Sequence, residues 1–180
     1  MKNYRRMMII SFLVATSAFG QSTTDQRIAE AVLPLPDALK AGAAVIAYDE
    51  DGEPDVLRKG TNDWICEADD PAPGIFVRCH HVDLKPFRKR QRELLDKGFT
   101  GESMGPILAD EIRSGDLEMP DYSVEFFLRG DSRMGALPWT VVWIPLATAE
   151  STGLLTEPDA YRPWLMRAGQ GNAHIMFPGK

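Results

Sequence analysis

Two cysteines in neighbouring β-like runs constrain this chain more than any other feature. Cys66 lies in the run Trp64 to Ala68 and Cys79 closes the run Ile75 to His80, with the turn-forming Pro71-Ala72-Pro73-Gly74 between them. Pairing Asp70 with Ile75 around that turn sets Cys66 directly opposite Cys79 on one face of an antiparallel hairpin. Directly paired positions lie about 4.5 to 5.5 Å apart, close to the Cα separation that a disulfide requires. A disulfide is therefore expected, worth roughly 3 kcal/mol in the chain-entropy picture and acting mainly to fix the hairpin register. The rival is redox chemistry or metal ligation by the thiolates, but the cysteines are 13 positions apart and form no C-x-x-C.

A disulfide needs an oxidising compartment, and the amino terminus reads as an address to one. Lys2, Arg5 and Arg6 precede the apolar stretch Met7 to Val14, and Ala18-Phe19-Gly20 fits a small-x-small cleavage site. The expectation is a signal peptide over residues 1 to 20, cleaved after Gly20, and a periplasmic or secreted domain over residues 21 to 180. Arg5-Arg6 faintly resembles a twin-arginine signal, which would imply export of a folded protein; two basic residues are equally ordinary in a Sec-type leader. Without the leader, 17 Lys plus Arg face 26 Asp plus Glu, a net charge of −9. So acidic a surface repels phosphate backbones, and no nucleic-acid partner is expected. The longest later apolar run, Val141 to Ala147, is interrupted by Pro145, so the mature domain is not expected to span a membrane.

Periodicity orders the rest of the chain. Ile28, Ala29, Val32 and Leu33 recur at helical spacing over Asp25 to Leu33, with a further turn at Pro36 to Lys40. Short β-like runs follow at Ala44 to Tyr48, Asp55 to Lys59, Trp64 to Ala68 and Ile75 to His80, separated by turn residues, as in an antiparallel meander. Helices are predicted over Asp83 to Lys97 and Pro106 to Ser114. Strands resume at Tyr122 to Leu128, Trp139 to Leu146, Pro163 to Arg167 and Ala173 to Phe177. The pattern predicts a single α+β domain: a mostly antiparallel sheet, two to three helices packed on one side, and one hairpin disulfide.

Few side chains stand out as chemistry. His80 and His81 are consecutive at a strand end, so they point to opposite faces and cannot join one site without a bulge; surface or capping roles are expected. If Arg167 pairs with Ala173, His174 lies opposite Met166 and shares a face with Trp164 and Met176. A histidine inside such a wall is a candidate general base or ligand contact, although a core histidine with bonded nitrogens is the commoner outcome. Asp49-Glu50-Asp51-Gly52-Glu53 has the look of a calcium loop but lacks the EF-hand spacing, and Pro54 interrupts it. Lys85, Arg88, Lys89, Arg90 and Arg92 form the one basic patch. With Leu84, Phe87, Gln91 and Leu94 on the buried face, those cations are expected mostly on the solvent side. Arg129-Gly130-Asp131 reads as a turn. No cofactor and no metal site is predicted.

Lys59-Gly60-Thr61-Asn62-Asp63-Trp64-Ile65-Cys66, with Cys79 following, resembles a stretch found in a group of uncharacterised secreted bacterial proteins. Pro163-Trp164-Leu165-Met166, followed by Ala173-His174-Ile175-Met176, resembles their closing segment. The resemblance implies export and a shared fold, and it supplies no activity. Asp63, Gln170-Gly171 and His80-His81 depart from the family pattern, the first two at turns.

The leading expectation is an exported small-ligand or protein-interaction module, with Trp64, Trp164, Met166 and His174 meeting at an apolar patch. One rival is a hydrolase-type or metal-assisted enzyme using His174 with a nearby carboxylate. The other is a structural envelope component.

Overall fold

A computed structural model describes residues 23–49, 52–69 and 74–177 of the chain. The expected leader, its cleavage after Gly20, and the Pro71 to Pro73 turn lie outside the described residues.

The chain opens with α1 (Thr24–Ala31), whose first turn is closed by a capping box between Thr23 and Gln26, and with the single turn α2 (Asp37–Lys40). Four strands follow: β1 (Ala44–Tyr48), β2 (Pro54–Arg58), β3 (Trp64–Glu67) and β4 (Ile75–His81). A 3-10 turn over Val82–Leu84 leads into α3 (Lys85–Asp96), and α4 (Gly101–Ser114) runs next. The chain ends with β5 (Ser123–Gly130), β6 (Leu137–Trp143), the short α5 (Ala149–Thr152), β7 (Trp164–Met166) and β8 (His174–Phe177). α4 starts five residues before the predicted Pro106, because Thr100 and Ser103 form a capping box upstream of the proline.

The eight strands make one sheet in the order β2-β1-β3-β4-β5-β6-β8-β7. The α+β class, the mostly antiparallel sheet and the hairpin disulfide agree with the sequence reading. Cys66 pairs with Cys79, and the two are bonded with Cα atoms 4.0 Å apart. Two features differ. The first four strands are not a simple meander, since β1 and β3 are parallel neighbours and β2 flanks β1 on the outside. The helices also lie on both faces: α3 and α4 pack together on one side, as expected, and α1 covers the other.

The reason for the first difference lies in Lys59 to Asp63, which crosses the foot of β1. Thr61 and Asn62 both donate their backbone N–H to Gly42 O, and the Asn62 amide donates to Leu39 O. A Cβ on Gly60 would sit 2.7 Å from the Ala44 nitrogen, so only glycine passes this close beneath the strand. The Gly-Thr-Asn stretch is a crossing device that delivers Trp64 to the far side of β1.

The second difference follows from strand parity. Val45, Cys66 and Cys79 project to the face covered by Ala31, Val32 and Leu35 of α1 and its exit. Phe87, Leu94, Met104 and Leu108 of α3 and α4 pack with Val141 and Trp143 on the other. An amphipathic helix was legible in each segment, but a helical stripe does not say which face of a sheet it will cover.

Candidate functional site

α3 lies over the β2-β1-β3 end of the sheet without closing on it. Between them runs a groove of about 930 Å³. Ala44 and Ile46 of β1, Val56 of β2 and Ile65 of β3 make an apolar floor, while Lys85, Arg88, Lys89 and Arg92 line the helix side. The spacing of those four cations is helical, placing them on one stripe of α3. Tyr48, His80, Lys59 and Gly60 complete the walls, with Glu53, Glu93 and Asp96 also contributing.

The inner end of the groove holds a buried charge cluster. Glu67 is 6 % exposed and faces Arg78 Nε at 3.3 Å, Arg88 at 3.6 Å and Arg92 at 3.6 Å, with His80 Nε2 3.7 Å away. His80 is itself buried. Its Nδ1 lies 3.0 Å from His81 O, so Nδ1–H donates to that carbonyl and Nε2 is the ring nitrogen on the Glu67 side. The second buried carboxylate, Glu125, lies across the strand pair from His80 and accepts a 2.9 Å bond from Trp143 Nε1. Burial works against the charged form of Arg88, but Glu125 and Glu67 more than offset it, so its pKa is raised and it stays a cation. The Arg92 guanidinium carbon lies 3.1 Å from the Tyr48 ring centroid, a cation–π contact. Burial, followed by the Glu67 charge, raises the Tyr48 pKa and keeps its phenol neutral.

Arg88 donates to Gln91 Oε1 at 2.7 Å, while its Nε is buried without a partner. A second cavity of about 240 Å³ lies beside Arg78, Arg88, Gln91 and Arg92, toward Met104. Arg88 and Arg92 therefore border both spaces. The expectation that the α3 cations face solvent is corrected for these two: Arg88 and Arg92 flank the buried stripe and reach across it on long side chains. Arg90 follows a different course, pairing with Glu111 of α4 and with Glu93.

The residues singled out in the sequence do not converge. Trp64 is on the disulfide face against Phe126 and His81. Trp164 belongs to the edge strand β7 and packs edge-on against Trp139. Register parity puts that ring on the face opposite Trp64, and four strands stand between β3 and β7. The shared apolar patch is thus replaced by two separate packing sites. Met166 does pair with His174, as the register predicted, and Trp164 with Met176. His174 is 8 % exposed, with Nδ1 2.8 Å from Asn172 O and its ring 4.7 Å from that of Trp143. Burial pushes its pKa below the usual histidine range, with the Asn172 carbonyl and Glu125 pulling the other way. A histidine buried in the core, bonded to backbone and lining neither described cavity, does not fit the general-base role.

His80 and His81 separate as expected. His81 caps the turn before α3, its Nδ1 3.0 Å from Asp83 Oδ2, while His80 turns into the charge cluster. In the acidic loop, Asp49 Oδ1 accepts from Glu53 N at 2.8 Å and Gly52 takes φ +81°; Glu50 and Asp51 lie outside the described residues. Among the described residues, no group of three or more His, Cys, Asp or Glu side chains could hold a metal ion. Glu67, Arg78, Glu125 and Tyr48 were missed in the sequence, although the cysteine register already set Glu67 opposite Arg78.

No protein-family description, curated protein or solved structure matches this chain.

Proposed function

We propose that this chain is an exported binding module, and that the groove between α3 and β2-β1-β3 is where it holds a small ligand. The observation that carries the reading is the arginine-lined inner end of a groove with an apolar floor. Small-molecule sites are typically apolar concavities of about 300 to 1,000 Å³ with a few fixed polar groups, and the groove has that size and composition. Its described lining includes no Ser, Thr or Cys nucleophile, and its one histidine is turned to Glu67.

Export is supported by the Cys66–Cys79 bond, which an oxidising compartment favours. The two stretches that resemble segments of secreted bacterial proteins take structural parts in this reading. One steers β3 past β1, and the other flanks the loop that braces α4.

The test is a small-molecule screen by thermal shift on protein recovered from the periplasm, run beside Val56→Glu. Val56 is 55 % exposed on the groove floor, so a carboxylate there is tolerated by the fold. A compound that stabilises the wild type and loses its effect in V56E supports the groove. Stabilising compounds that ignore this substitution overturn it. Amino-terminal sequencing of the exported form should begin at Gln21; a retained leader overturns the export part.

A further inference from the structure

We infer that the ligand is an amphipathic organic carboxylate, and that Glu67 is a resident anion which this carboxylate displaces from Arg88 and Arg92. The inference rests on the groove being the ligand site and adds the identity of the occupant.

The guanidiniums around Glu67 are under-committed. Charge-assisted N–H···O bonds close to about 2.7 to 2.9 Å. This protein reaches that distance elsewhere: Arg133 holds Glu30 at 2.8 and 2.6 Å, and Arg90 holds Glu111 at 2.8 Å. Arg88 and Arg92 stop at 3.6 Å from Glu67. One carboxylate has two oxygens, and here it is shared among three arginines. Arg88 and Arg92, which border the groove, therefore keep donors for a second anion. Glu67 keeps Arg78 when they turn away.

The remainder of the groove selects among anions. Ile46, Val56 and Ile65 offer nothing to an inorganic ion, which would lose hydration over them without compensation. They suit a hydrocarbon body, and Val56 stands more than half exposed with no apolar cover. The acidic net charge of the protein opposes polyanions at long range, while a single carboxylate meets little of that repulsion. An alkyl or aryl chain on the floor, with its carboxylate at Arg88 and Arg92, satisfies both ends.

Decanoate, the uncharged decanamide, acetate and inorganic phosphate serve as probes, read by calorimetry and thermal shift on the exported protein. Decanoate is expected to bind, with decanamide about tenfold weaker or more, as loss of a charge-assisted pair predicts. Acetate and phosphate should not bind. Arg88→Gln and Arg92→Gln should each weaken decanoate about tenfold and leave decanamide unchanged. Glu67→Gln should strengthen decanoate, because the competing anion is gone. If E67Q does not fold, the two arginine variants decide the matter alone. Equal binding of decanoate and decanamide, phosphate binding as tight as decanoate, or weaker decanoate binding in E67Q overturns the carboxylate inference and leaves the groove reading standing. If none of the four probes binds, the carboxylate inference falls; if the screen also yields no compound sensitive to V56E, the groove reading falls with it.

Discussion

Replacing Gly171 by alanine should cost this protein far more stability than the same change at Gly98. Gly171 lies in the loop before β8, pressed against α4, and its backbone N–H donates to Gly105 O at 3.2 Å. The neighbouring Asn172 amide donates to Gly101 O at 3.1 Å. A Cβ on Gly171 would sit 2.8 Å from Leu108 Cβ and closer still to the Leu108 carbonyl carbon and the Ala109 nitrogen. Carbon atoms settle about 3.5 to 4.0 Å apart, so loop and helix must separate by roughly 1 Å. No flexible side chain can absorb that, because the nearest atoms are helix backbone. Overpacking of this kind costs about 1 to 3 kcal/mol, and losing the two bonds adds roughly 1 kcal/mol each. The sum, about 3 to 5 kcal/mol, corresponds to a fall in Tm of roughly 6 to 20 °C for a domain of this size. Gly98→Ala is the control because φ there is +84° and nothing lies within 4 Å of the added methyl; left-handed backbone alone costs about 1 kcal/mol. Urea and thermal unfolding of both variants make the comparison. If G171A proves as stable as G98A or more so, the close packing of this loop on α4 is not what holds the helix in place.

Three further outcomes are expected. Reducing the Cys66–Cys79 bond, or substituting both residues by serine, should lower stability by about 3 kcal/mol in urea titration, and thiol labelling of native protein should find neither cysteine reactive. His174 titrates below its ordinary 6.5 because burial disfavours the imidazolium. The unfolded chain then binds the proton more readily, so stability is full above that value and declines as pH falls toward the folded-state pKa; His174→Gln should flatten that decline in pH-dependent melts. The surface pair Arg133–Glu30, with the arginine mostly exposed, should contribute under about 1 kcal/mol in a double-mutant cycle and lose it in high salt.

Local pattern carried the element list, because alternation and helical spacing are written in residues a few positions apart. The cysteine register was legible for the same reason: one turn and one pairing rule set Cys66 opposite Cys79. That rule also placed Glu67 opposite Arg78, yet two charges eleven positions apart give no sign of being buried, since burial is decided by what covers them. α3 supplies that cover, and its face is chosen by the whole sheet. The outward position of β2 was hidden for a similar reason, as a hairpin pattern is the same whichever side of β1 the next strand joins. Trp64 and Trp164 misled because kinship of composition suggested proximity, while parity and strand order decided position.

The disulfide also has a bearing on when the molecule becomes competent. Cys66 and Cys79 are the immediate chain neighbours of Glu67 and His80, one on each side of the same strand pair. The bond that forms on one surface clamps the two strands that present the acid and the imidazole on the other. Without the bond, that seam would rest on the ladder hydrogen bonds and on cross-strand contacts such as Glu67–Arg78 and Trp64–His81. On the proposed reading of an exported carboxylate binder, oxidation would fix the cavity's geometry only after delivery.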